Sequence, residues 1–147
     1  MKNLELIFKD VMVFDIKKIF SFLHFNEENI VSSHFFMNDE DLTYQDIKNL
    51  DNYFQVPCTC NILINDLEIG VTINKVLIII SFDEVYGDIT FNFSEDDWGN
   101  IEMAEDKKVI LLKEKLEMLI NRITYSSILF GYEPAEDEDM QLFTMSK

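Results

Sequence analysis

Four runs between residues 58 and 93 decide the fold of this chain: Cys58-Thr59-Cys60-Asn61-Ile62-Leu63-Ile64, Ile69-Gly70-Val71-Thr72-Ile73, Val76-Leu77-Ile78-Ile79-Ile80-Ser81-Phe82 and Ile89-Thr90-Phe91-Asn92-Phe93. In the first, Cys58, Cys60, Ile62 and Ile64 alternate with Thr59, Asn61 and Leu63. In the second and fourth, Ile69, Val71, Ile73 and then Ile89, Phe91, Phe93 alternate with Gly or polar residues. A period of two is the mark of a strand with one face buried and one in water. The third run, Val76 to Phe82, is apolar on both faces and belongs at the centre of a sheet. The connections Asn65-Asp66, Asn74-Lys75 and Val85-Tyr86-Gly87 are turn-like and too short to cross over to a parallel neighbour. The stretch 58–93 therefore predicts an antiparallel meander of four strands.

On the N-terminal side, Leu4 to Phe8 reads as a short strand. Asp15 is placed to cap a helix whose Ile16, Ile19, Phe20 and Leu23 share one face. Asn26 to Asn29 is a polar break, Val31 to Met37 a strand, and Asn38-Asp39-Glu40-Asp41 an acidic loop. Thr43 with Asp46 three residues on opens a second helix through Ile47, Leu50 and Phe54, ended by Val56-Pro57. On the C-terminal side, Val109, Leu112, Leu116, Leu119, Ile120 and Ile123 form the stripe of the longest helix, near 105–124. Ser127 to Tyr132 is a closing strand, stopped by Pro134. The expectation is one α+β domain over 1–147: an antiparallel meander of at least four strands, a long C-terminal helix and shorter N-terminal helices packed on it, and a short acidic C-terminal tail.

The 147 residues are 48% hydrophobic and 13% aromatic, which supplies a core and excludes global disorder. No apolar run approaches the ~18 residues of a membrane helix, and the start, broken early by Glu5 and Asp10, does not read as a signal segment. A cytoplasmic protein is expected. The 2 Cys, Cys58 and Cys60, are one residue apart and read as small buried strand residues facing the same way. A zinc set of His24, His34, Cys58 and Cys60 has none of the usual ligand spacings, and no metal or cofactor is expected. The acidic loop at residues 38–41 lacks the glycine and distal glutamate of a calcium loop. Gly70, Gly87, Gly99 and Gly131 are isolated, so no glycine-rich phosphate loop exists, and neither GxSxG nor HExxH occurs. These absences point away from an enzyme.

The charge is more telling. With 12 Lys+Arg against 28 Asp+Glu, the formal net charge is −16, unsuited to nucleic acid or anionic membrane. The carboxylates cluster in three places: Asp39, Glu40 and Asp41; Glu95, Asp96 and Asp97, running into the only tryptophan, Trp98; and Glu133 with Glu136, Asp137, Glu138 and Asp139, beside Tyr132. Each cluster reads either as a solvated loop or as part of a contact surface for a basic partner, which would be captured by electrostatic steering. Trp98 reads either as a lid on the core edge or as an aromatic anchor inside an acidic rim. These thirteen positions form the candidate contact set.

The segment Ile128-Leu129-Phe130-Gly131-Tyr132-Glu133-Pro134-Ala135 with the acidic run after it, and Phe93-Ser94-Glu95-Asp96-Asp97-Trp98, resemble the immunity proteins of bacterial polymorphic and contact-dependent toxin systems. The likeness is one of type across most of the chain. It implies a monomer or weak homodimer that binds a cognate protein toxin and blocks its active site or substrate groove. Many such toxins are basic nucleases, and the carboxylate clusters would then imitate a phosphate backbone. A phage-encoded nucleic-acid mimic that inhibits a host defence nuclease is the second reading, and a small ligand-binding or metabolic domain the third.

Overall fold

The computed structural model describes residues 2–23, 26–47, 50–98 and 102–147. Eight strands form one antiparallel sheet in the order β3-β2-β4-β5-β6-β1-β7-β8. They are β1 (Asn3–Met12), β2 (Ile30–Met37), β3 (Glu40–Leu42), β4 (Cys58–Glu68), β5 (Thr72–Phe82), β6 (Tyr86–Ser94), β7 (Ser127–Tyr132) and β8 (Gln141–Ser146). The helical segments are α1 (Ile16–Phe22), the single turn α2 (Leu50–Tyr53) and α3 (Glu105–Leu119).

Cross-strand register separates the two faces. Phe35, Cys60, Ile80, Ile89, Phe8, Ile128 and Met145 lie opposite one another in a row, and the first six of these are buried in the core. The helices supply the other side of that core through Ile16, Ile19 and Phe20 of α1 and Leu112, Leu116 and Leu119 of α3. The neighbouring row, His34, Asn61, Ile79, Thr90, Ile7, Leu129 and Thr144, points to the outer face. One face is thus covered by helices, and the class is α+β.

Residues 58–93 form three long strands rather than four. The two positions expected to turn lie opposite each other inside one hairpin, with Asn65 paired to Lys75 and Asp66 at φ 56°. There the alternation slips by one in both strands: Ile62, Ile64 and then Leu67 are buried on β4, and Ile73 and then Val76 and Ile78 on β5. Because both strands slip together, the register between them is unbroken. The turn is made by Ile69 to Val71, where Gly70 at φ 92° lies against α3; a Cβ there would sit 2.5 Å from the Leu111 carbonyl oxygen. β5 is central, as its doubly apolar sequence predicts.

Other expectations are corrected. The long helix is mid-chain, not C-terminal, because β7 and β8 follow it. The acidic tail continues into β8, which pairs with β7. Asp15 does not cap α1. Its buried carboxylate accepts from the Thr124 backbone N–H at 2.9 Å and pairs with Lys18 at 2.8 Å, tying α1 to the segment after α3. The expected helix from Thr43 is a turn in which the Asp46 carboxylate accepts from the Thr43 N–H and hydroxyl, 2.9 and 3.0 Å, while the Tyr44 N–H donates to Ser33 Oγ at 2.8 Å. That tether holds the turn to β2, and only Leu50–Tyr53 is α-helical, with Tyr53 buried against Phe35, Phe54 and Phe82. Lys48 and Asn49 lie outside the described residues.

Candidate partner-binding surface

The register places the three acidic clusters. Asn3 pairs with Ser94 and Leu4 with Tyr132, so β6 and β7 end at the same end of the sheet. Glu95 to Asp97 form a 3-10 turn there, with Ser94 Oγ accepting from the Asp96 N–H at 3.1 Å. Tyr132 donates its hydroxyl to Glu105 of α3 at 2.5 Å, and Lys2 Nζ sits 5.3 Å from its ring centre. The Glu105 hydrogen bond, burial and the nearby charges of Glu105 and Glu95 push the phenol up to about 12.

Glu133 to Met140 cross the outer face as a strap. The Ala135 N–H donates to Glu5 at 3.2 Å, Glu136 pairs with Lys9 at 2.8 Å, and Glu133 accepts from Asn92 at 3.4 Å. Glu5 and Lys9 flank Ile7 on β1, so the strap accounts for Ile7 and Ala135 being buried while lying outside the main core. Within it Glu136 is partly neutralised by Lys9, whereas Asp137, Glu138 and Asp139 are exposed.

Asp39, Glu40 and Asp41 sit at the opposite end of the sheet and at its other edge. Asn38 and Asp39, with φ of 51° and 63°, make the two-residue turn of the β2–β3 hairpin. Glu40 and Asp41 belong to β3 rather than to a loop. The structure therefore brings Tyr132 and Glu133 to the end of the sheet where Glu95 to Asp97 lie, carries Glu136 to Asp139 along the outer face with the strap, and leaves the first cluster apart.

Trp98 is a core residue. It is 3% exposed and bridges to Ile73, with Phe93 and Phe130 at 5.7 and 5.3 Å between ring centres. A ring so placed is not a surface anchor, and the core reading applies. Gly99 and Asn100, which follow it, lie outside the described residues.

His34 points outward, stacked on Phe36 with Nδ1 2.9 Å from the Asp41 carboxylate, whereas Cys58 and Cys60 point inward. The conceivable zinc set is thus split between faces; His24 is not among the described residues. Burial pushes the Cys60 thiol up to about 12. Among the described residues no group of three His, Cys, Asp or Glu side chains is arranged to hold a metal ion, and no helix is long and apolar enough to cross a membrane.

A profile of the PABL017 Cdi1I immunity protein family matches residues 2–147. The chain belongs to that family. A search of curated protein sequences finds no significant match. Among solved structures, the fold is similar to a chain of the crystal structure of the toxic C-terminal tip of CdiA from Pseudomonas aeruginosa in complex with its immune protein, with TM-score 0.72, 15% identity, and coverage of 97% of this chain and 94% of that one.

The outer sheet face carries apolar side chains that the charge pattern does not single out. Phe36 is 45% exposed and Ile79 37%, while Leu63 and Leu77 are half-buried and directly paired. The signal was present in the sequence as the second apolar face of Val76 to Phe82.

Proposed function

We propose that this immunity protein binds the toxic C-terminal domain of a CdiA-type protein and neutralises it by covering its active site or substrate groove. The family match over residues 2–147 carries this reading. The likeness to a chain of a CdiA tip–immune protein complex agrees with it. The net charge of −16 suits a basic toxin domain, such as a nuclease that must itself hold nucleic acid. The protein works by occupation rather than by catalysis, in the cytoplasm, where an incoming toxin would act. The family match also favours immunity over inhibition of a host defence nuclease.

Co-expression tests this directly. The C-terminal toxin domain encoded beside this protein should arrest a bacterial host when induced alone and permit growth when this protein is co-induced, and the two should co-purify as a stable complex. Growth arrest that persists at high levels of folded immunity protein, with no complex recovered, would overturn the reading.

A further inference from the structure

We propose that the toxin domain seats on the half of the outer sheet face formed by β2, β4, β5 and β6, centred on Leu63, Leu77 and Ile79, and meets it with an apolar patch flanked by Lys or Arg side chains. This rests on the toxin-binding reading and adds where the contact lies. An antiparallel sheet with one face in water normally presents polar side chains there. β5 does not: Val76, Ile78, Ile80 and Phe82 fill the core, yet Leu77 and Ile79 face outward.

The chain treats the two halves of this face differently. Over β1 the strap from Glu133 to Met140 buries Ile7. Over β4 and β5, by contrast, Thr59, Ile79 and Ser81 are exposed. An uncovered apolar strip rimmed by polar groups is the surface signature of an interaction site.

The margins decide the partner's charge. Beside Phe36 and Thr59 lies a depression of about 510 Å³ that includes Asp39, Glu40 and Asp41. Beside Ser81 lies another of about 280 Å³ that includes Asp10, Asp83 and Asp88. The cations Lys17 and Lys18 of α1 and Lys107, Lys108, Lys113 and Lys115 of α3 belong to the helical layer, while Lys75 stands exposed on β5 two residues before Leu77, at the end of the face away from both depressions. Both depressions lie at the end of the face where Thr59 pairs with Ser81 and Ser81 with Asp88, so carboxylates border the apolar patch on that side and complement a partner patch with basic neighbours. This half of the face is roughly 14 Å across its four strands and roughly 20 Å long, a fitting centre for an interface of about 800 Å² per partner.

The test measures affinity of the full-length protein for the purified C-terminal toxin domain encoded beside it. Ile79→Arg should weaken binding at least about 30-fold, the loss expected for a hot spot. Met118→Arg, the same charge change on the helical layer at 64% exposure, should change it less than about threefold, in keeping with a residue away from the contact. Ile79→Thr keeps the β-branched shape and should lose an intermediate amount, which guards against a folding artefact; circular dichroism and melting should match the unsubstituted protein. Equal binding by Ile79→Arg, or an equal loss by Met118→Arg, would overturn the location while leaving toxin binding intact. Failure of the unsubstituted protein to bind would overturn both readings. A dimer of the free protein that Ile79→Arg dissociates, with toxin affinity unchanged, would make the face a self-association surface and refute the proposal.

Discussion

Trp98 shows how far a single side chain can be read from its neighbours. Continuing the alternation of Ile89, Phe91 and Phe93 would bury Glu95 and Asp97, so the strand must end near Ser94, and it does. What local sequence does not reveal is Phe130, from β7, against which the ring closes. Trp98→Ala should therefore cost about 3–5 kcal/mol of folding stability, measured by urea denaturation followed by circular dichroism. Tyr132 likewise depends on a distant partner, Glu105. Its phenol is raised from 10.0 to about 12, so the folded state favours the neutral form. The resulting stability is whole below pH 10, shrinks as pH rises toward about 12, and is gone above it. Tyr132→Phe should remove this part of the alkaline destabilisation, and an absorbance titration should lose one late-ionising tyrosinate. Asp15 reads as a cap in local sequence for the same reason, since the N–H it accepts from is 109 residues away.

Elements were legible where their periodicity is local. The alternation in residues 58–93 shows strands, and its doubly apolar run shows which is central. The slip at Asn65-Asp66 and Asn74-Lys75 looks like two turns because each pair of polar residues breaks the pattern; only cross-strand pairing shows that the two breaks face each other. The strap reads as a tail because Pro134 and five carboxylates hide the fact that Phe143 and Met145 pack on the core from β8. Gly131 is the residue that permits this closure: a Cβ there would land on the Met140 carbonyl oxygen. Gly131→Ala should cost about 1–3 kcal/mol through overpacking. It should also loosen the strap, so that a glutamate-specific protease cuts at Glu136 or Glu138 faster than in the unsubstituted protein. An unchanged cleavage rate would show that the strap is held without Gly131.

The charge of −16 was legible at once for the whole molecule, but its distribution needed the register. The strap acids lie over β1, the hairpin acids lie at the far edge, and Asp10, Asp83 and Asp88 surround a depression between them. All three groups border the outer face, where the toxin domain is proposed to sit. Steering by such a field acts before contact and is screened over a Debye length of about 8 Å at physiological ionic strength. The association rate with a basic toxin domain should therefore fall steeply with added salt, while dissociation changes little. Asp137 and Asp139 are exposed and stand on the strap rather than among Leu63, Leu77 and Ile79. Replacing both by Asn should slow association several-fold at low salt, in the manner of rim charges, and leave dissociation within about twofold. Stopped-flow mixing across a salt series separates the two rates. An association rate indifferent to salt, or a double variant whose whole effect falls on dissociation, would mean that these carboxylates are contact groups or bystanders and not the field that draws the partner in.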